Sequence, residues 1–227
     1  LTDMLGRSGV TNVQGEEQKT LDVYADEVIT GLLGQGGRVS ALVSEERPEV
    51  TVFEGGGPYV VTCDPLDGSS NIDANVSIGT IFGVFRQRDE TASPTTSDWL
   101  RPGRDLVAAG YLLYSTSTML VYSTGDGVHA FTLDPEAGEF LLTWSDLEFP
   151  ADPSYYSFNL AASAHWERGV ERFVHWANRD DTPTMSQRYI GSAVSDFHRN
   201  LLYGGIFAYP GTNDEPAGKL RLLYEGA

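Results

Sequence analysis

A chain of 227 residues, 41% hydrophobic and 11% aromatic, can bury a substantial core in one large domain or two small ones. Its formal net charge of -17 argues against nucleic acid and anionic membranes as partners, and no apolar run reaches the roughly 20 residues that span a bilayer. The single cysteine, Cys63, excludes an internal disulfide and a multi-cysteine zinc site.

The charge balance is uneven. There are 32 Asp plus Glu against 15 Lys plus Arg, and Lys19 and Lys219 are the only lysines. Acidity joined to lysine depletion is expected of a surface adapted to high salt, where screening lowers self-repulsion. The first residues carry no charged-then-apolar signal pattern, so a cytoplasmic location is expected. Cys63 falls in an apolar run and reads as an inert packed thiol.

In chain order, residues 1–15 are polar with scattered glycines and read as a loop or arm. From Glu16 to Leu33 the positions Leu21, Tyr24, Ala25, Val28, Ile29, Leu32 and Leu33 fall near helical spacing, with Gly34, Gly36 and Gly37 as the stop. Val39–Val43 reads as a short strand running into Ser44-Glu45-Glu46, and Gly55-Gly56-Gly57-Pro58 as a turn. Tyr59–Cys63 is a buried strand, and Ile78–Phe85, rich in β-branched and aromatic residues, is another. Residues 87–104 read as a loop. Leu106–Thr116, Met119–Tyr122, Gly127–Leu133 and Glu139–Thr143 are short strands joined by turn sequences, which predicts an antiparallel meander. Residues 145–158 form a Pro-rich connection. His165–Asn178 and Ser192–Tyr203 have helical spacing, the second closed by Gly204-Gly205. Ile206–Tyr209 reads as a strand, 210–218 as a loop, and Lys219–Glu225 as the start of a helix. This order argues for a layered α+β or α/β architecture with a boundary near 145–157.

The chemistry gathers on Asp64-Pro65-Leu66-Asp67-Gly68-Ser69-Ser70-Asn71-Ile72-Asp73. Asp64 and Asp67 follow an apolar run, as Glu45 and Glu46 do. Strand ends meeting at one sheet edge are a common place for a ligand crevice. If the two strands are neighbours, four carboxylates so close need a divalent cation, and a donor set of hard oxygens selects Mg²⁺ or Mn²⁺. The Gly-Ser-Ser turn offers backbone N–H groups and hydroxyls to an anion. Alone, a Glu-Glu pair is usually a solvated strand end and Asp-Gly-Ser-Ser a turn or cap; both after apolar runs favour a site. Asp22 lies beside Leu21 on the helix, and by pattern alone a capping or exposed aspartate is the better reading. The histidines are scattered and read as structural or surface residues.

The stretch Asp64–Asp73 resembles the signature of the fructose-1,6-bisphosphatases, within the lithium-sensitive, metal-dependent sugar and inositol phosphatases. Other segments agree in order, among them Leu42-Val43-Ser44-Glu45-Glu46, Arg188-Tyr189-Ile190-Gly191-Ser192, Tyr203–Pro210 and Gly218–Glu225. The resemblance covers most of residues 16–225. It implies an α+β / α/β layered fold of the αβαβα sugar-phosphatase type, with mixed sheets and helices between and outside them. It implies that Glu45, Glu46, Asp64, Asp67 and Glu225, with the Leu66 carbonyl, hold two or more Mg²⁺ or Mn²⁺ ions. Asp22 and Glu46 would position and deprotonate the attacking water. Gly68, Ser69 and Ser70 would receive the 1-phosphate, with Arg221 on that side. Asn159, Tyr189, Tyr209 and Lys219 would surround the sugar and 6-phosphate. Arg188 matches an arginine that reaches a neighbouring subunit's 6-phosphate, which implies a homo-oligomer, dimer or tetramer. The division expected is 1–145 for metal and 1-phosphate and 146–227 for sugar and 6-phosphate. Set against the family, the chain is expected to lack N- and C-terminal ends.

The activity implied is hydrolysis of the 1-phosphate of fructose 1,6-bisphosphate by metal-activated water, a gluconeogenic step giving fructose 6-phosphate. Sedoheptulose 1,7-bisphosphatase or a broader sugar or inositol phosphatase is the enzymatic alternative. A non-catalytic sugar-phosphate-binding protein is the alternative of another class.

Overall fold

Leu42 and Val61 are apolar positions on two predicted strands, and the fold of the first half is built on those strands. In a computed structural model describing residues 7–11, 17–179 and 185–212, the strands are β3 (Val39–Ser44) and β5 (Tyr59–Asp67). They pair in parallel, with Leu42 opposite Val61 and Ser44 opposite Cys63. Before them, β1 (Arg7–Thr11) and β2 (Glu17–Lys19) form a small antiparallel ribbon where the sequence predicts a loop or arm and the start of a helix. Helix α1 therefore begins later, at Thr20, and runs to Gly36. Gly34 and Gly36 lie inside it rather than ending it. Gly37, at φ 61°, takes the left-handed conformation that closes a helix without a Cβ penalty.

A short strand β4 (Thr51–Val52) pairs with β3 and was not legible in the apolar pattern. On the other side of β5 the predicted meander follows as β6 (Ile78–Arg86), β7 (Ala108–Tyr114), β8 (Thr118–Ser123), β9 (His129–Asp134) and β10 (Glu139–Trp144). The sheet order is β10-β9-β8-β7-β6-β5-β3-β4, antiparallel except for β3 with β5. Alternation puts two faces to use. Leu42, Val61 and Cys63 pack against Ile29 and Leu33 of α1, and Ala41, Val60 and Phe85 pack against Trp99 and Leu106 of the 87–107 connection. Layers of helix, sheet and covering loop thus enclose β3 and β5.

The chain divides into two compact units, one of the described residues through Asp146 and one of those from Leu147 to Thr212. In the second unit, β11 (Tyr155–Ser157) lies between β12 (Ser186–Gln187) and β13 (Gly205–Phe207), all parallel. Neither β11 nor β12 is long enough to show a period in sequence. Helix α2 (Arg168–Ala177) is shorter than the predicted 165–178, because Leu160–His165 winds as a 3₁₀ segment and Trp166 bridges to Thr212. Tyr156 and Phe158 pack with Trp166 and Phe173 on one face. On the other, Tyr155 meets Tyr203 edge-on and Ser157 accepts from Asn200, both on α3 (Ala193–Tyr203). Among the described residues no helix is long and apolar enough to cross a membrane. The predicted helix at Lys219–Glu225 lies outside the described residues.

Candidate active site

The parallel pairing of β3 and β5 brings their C-terminal ends side by side. Glu45 leaves β3, and its N–H donates to the carbonyl of Cys63 at 3.1 Å. Asp64 follows Cys63 directly. Strand β5 does not stop at Cys63 but continues through Pro65 to Asp67, so both aspartates lie within it. Proline lacks a ladder N–H, and the pairing with β6 shifts register between Asp64 and Asp67 to accommodate it. The Pro65 carbonyl instead accepts from Thr80 Oγ1 at 2.9 Å, and Asp64 Oδ1 accepts from the Leu66 N–H at 2.9 Å.

Asp22 arrives from α1. Its Oδ2 accepts the Lys19 N–H at 2.6 Å, so it caps the first turn as the pattern suggests, yet it is buried rather than exposed. Asp26, one turn on, shares its helix face. Asp22, Asp26, Glu45, Asp64 and Asp67 are each no more than 4% exposed, which is rare for carboxylates. Cys63 lies among them. Burial, then the charges of Asp26 and Asp64, push its thiol above the usual thiol range, as an inert cysteine requires.

The phosphate-friendly turn is a 3₁₀ segment, Ser69–Ala74, entered through Gly68 at φ 80°. A left-handed residue there reverses the chain immediately after Asp67, and glycine does so without strain. The first N–H groups of such a turn have no partner inside it and can face an anion. Asp73 at its far end is held by Lys19 Nζ at 2.7 Å. Lys19 thus ties the start of α1 to the signature turn, a role nothing in its polar sequence neighbourhood signals.

In the second unit Asn159 caps the 3₁₀ segment, its Oδ1 accepting the Ala161 N–H at 3.1 Å. Arg188 is exposed and lies over the Tyr155 ring at 5.8 Å. Tyr189 and Tyr209 are half-buried, Tyr209 against Phe207. The segment 188–191 is organised by Asp196, fully buried on α3. Its carboxylate accepts from the N–H groups of Ile190 and Gly191, each at 3.0 Å, and from Arg199 at 2.7 Å. In sequence Asp196 stands in a segment, Asp196-Phe197-His198-Arg199, that shares the family resemblance, but no role attaches to it there. His198 is buried, His129 is held by the Asp126 carbonyl, and His165 and His175 are exposed.

Glu45, Glu46, Asp64 and Asp67 therefore stand at neighbouring strand ends, with Asp22 on the helix packed against those strands. Among the described residues, no group of three or more His, Cys, Asp or Glu side chains has the closeness of a ready metal shell. Lys219, Arg221 and Glu225 lie outside the described residues. The donor chemistry fits a hard divalent cation, since buried, all-oxygen carboxylates are its ligands of choice.

Known proteins match this sequence over nearly its whole length. The family model described as fructose-1-6-bisphosphatase, N-terminal domain, matches residues 1–145, and that described as its C-terminal domain matches residues 149–227. The cytosolic fructose-1,6-bisphosphatase of Arabidopsis thaliana is 52% identical, covering 99% of this chain and 67% of the plant protein. The class 1 enzyme of Chloroherpeton thalassium is 48% identical over 99% of this chain and 66% of its own length. The crystal structure of Leishmania major fructose-1,6-bisphosphatase in holo form matches with a TM-score of 0.92 at 42% identity, covering 99% of this chain and 71% of that one. The chain thus spans about two thirds of the length of the curated relatives it matches. It belongs to the fructose-1,6-bisphosphatase family.

Proposed function

We propose that the chain is a phosphoric monoester hydrolase that releases the 1-phosphate of fructose 1,6-bisphosphate as inorganic phosphate, leaving fructose 6-phosphate. The observation that carries this reading is the pairing of β3 with β5, which sets Glu45 and Glu46 beside Asp64 and Asp67 and leads directly into the 68–74 turn. The names of relatives at about half identity support it. Residues through 145 would serve metal and 1-phosphate, and those from 146 the sugar and 6-phosphate, with Arg221 and Glu225 reaching back to the first group.

Glu45, Glu46, Asp64, Asp67 and Glu225, with the Leu66 carbonyl, would hold Mg²⁺ or Mn²⁺, two or more per site. When bound, such ions neutralise phosphoryl charge and lower the pKa of water. Asp22 and Glu46 orient the attacking water and take its proton. Gly68, Ser69 and Ser70 donate to the 1-phosphate, with Arg221 nearby. Asn159, Tyr189, Tyr209 and Lys219 hold the sugar and 6-phosphate, and Arg188 serves a neighbouring subunit. Leu141, Leu142 and Trp144, exposed on the edge strand β10, support assembly into an oligomer. The cytosol is the compartment named for the Arabidopsis relative, and we assign it here.

Asp64→Asn tests the reading. It should cut turnover by at least about a thousandfold and weaken Mn²⁺ binding, because a buried ligand charge is lost. Wild-type phosphate release by this variant would refute the assignment. The -17 charge supports adaptation to high salt. The melting temperature should then rise from low to multimolar KCl, and equal stability at both would refute that adaptation.

A further inference from the structure

Asp26 binds the acidic turn from both sides. Its Oδ1 accepts from Ser44 Oγ at 2.6 Å, and its Oδ2 accepts from Arg47 Nε at 2.5 Å. Ser44 is the last residue of β3 and Arg47 follows Glu46, so the two contacts enclose Glu45 and Glu46. Within the turn, the Glu46 N–H donates to Ser44 Oγ at 3.3 Å and the Arg47 N–H to the Ser44 carbonyl. The Ser44 hydroxyl therefore donates a hydrogen bond to Asp26 and accepts one from the Glu46 N–H. The Glu45 N–H ties the same turn to β5.

The other end of this brace is the helix that carries Asp22, one turn before Asp26. A buried carboxylate accepting two hydrogen bonds, one from a guanidinium, has a fixed orientation. Arg47 also compensates its charge in surroundings rich in acid. Asparagine is a poor replacement: with its one oxygen on Arg47 it turns an N–H₂ toward Ser44, so the hydroxyl loses its acceptor and the guanidinium loses its facing charge.

We propose that Asp26 is a positioning residue of the hydrolytic site, fixing the Glu45-Glu46 turn relative to Asp22. The inference rests on the phosphatase reading above. A side chain that holds ligands and base in register acts on affinity for the cation and on the chemical step, not on substrate capture alone.

The test uses the full chain and reads three quantities for each variant: kcat and KM with fructose 1,6-bisphosphate, the Mn²⁺ dissociation constant of the metal-free protein by electron paramagnetic resonance, and the melting temperature. Asp26→Asn should lower kcat about a hundredfold and weaken Mn²⁺ binding about tenfold, with KM within about twofold of wild type. Ser44→Ala keeps the Asp26–Arg47 pair and removes only the hydroxyl link, so it should fold and show the same pattern in part. Val121→Ala, a core change on β8, which β7, β6 and β5 separate from β3, should lower the melting temperature while kcat and Mn²⁺ affinity stay near wild type. If Asp26→Asn and Ser44→Ala lose stability but keep wild-type kcat and Mn²⁺ affinity, Asp26 is merely structural and the proposal falls. If Asp26→Asn does not fold, Ser44→Ala decides alone by the same criteria. An inactive wild-type chain that still binds Mn²⁺ would refute the hydrolase reading; unchanged Mn²⁺ affinity in Ser44→Ala would refute the brace.

Discussion

Asp196→Asn is expected to loosen the second unit and the segment carrying Arg188 and Tyr189. The native carboxylate is fully buried and accepts from two backbone N–H groups and from Arg199. Asparagine keeps the shape but offers one oxygen, so its amide N–H₂ must face a donor. A lost hydrogen bond to a charged group costs about 1.5–3 kcal/mol. Arg199 is left without its carboxylate, but its side chain is 18% exposed, so water relieves part of the roughly 3–5 kcal/mol seen for a fully buried orphaned charge. The sum is about 3 kcal/mol, or roughly a hundredfold in the folded-to-unfolded ratio. For a chain of this size that lowers the melting temperature by roughly 6–12 °C. Differential scanning calorimetry measures it, and below the transition KM for the bisphosphate should rise more than kcat falls. A melting temperature within about 2 °C of wild type, with KM unchanged, would refute both the charge accounting and the link from Asp196 to the 188–191 segment.

Two further outcomes concern buried titrating groups. Cys63 is the only thiol, buried and surrounded by acid, so iodoacetamide at pH 8 should label it only after unfolding; rapid labelling of the native protein, read by mass spectrometry, would contradict the packing. Burial holds the pKa of His198 below its ordinary 6.5, so the unfolded chain takes up this proton first. Unfolding free energy from urea titrations should therefore be level in this contribution above about pH 6.5 and fall as pH drops below it, and His198→Gln should flatten that slope. An unchanged slope in the variant would remove His198 as the cause.

How much of this was readable in sequence depended on how much of each element is decided locally. The meander β6–β10 was legible because each strand carries β-branched or aromatic residues between turn sequences. The adjacency of β3 and β5 was legible only as a condition, since no local pattern says which strands pair. Strands β4, β11 and β12, two or three residues long, exist through their partners and have no period to detect. Helix α1 runs past the first of its predicted stop residues because Gly34 and Gly36 tolerate helical backbone at a modest cost; Gly37, which takes positive φ, is the one of the three that ends it. At the site, Glu45, Asp64 and Asp67 were legible as acids following apolar runs. Asp26 and Asp196 were not, because an aspartate on a helix is ordinarily solvated. Only tertiary packing, through Ser44 and Arg47 in one case and Arg199 in the other, makes them buried.

The scarcity of cations gives those contacts their meaning. With 32 acids and 15 bases, most carboxylates in this chain have no basic residue to pair with. Arg47 on Asp26, Lys19 on Asp73 and Arg199 on Asp196 are cations committed to aspartates beside the Glu45-Glu46 turn, the signature turn and the 188–191 segment respectively. Replacing a buried ion pair with apolar residues is often neutral or favourable for stability, so net stability alone does not account for Arg47 and Arg199 being placed there. What such a pair does provide is direction, because a guanidinium and a carboxylate meet in a narrow set of geometries. Salt that screens the exposed acids reaches Asp26 and Asp196 least, since both are buried. Rising ionic strength should therefore act on the exposed acids before it disturbs the Glu45-Glu46 turn of the first unit or, separately, the 188–191 segment of the second.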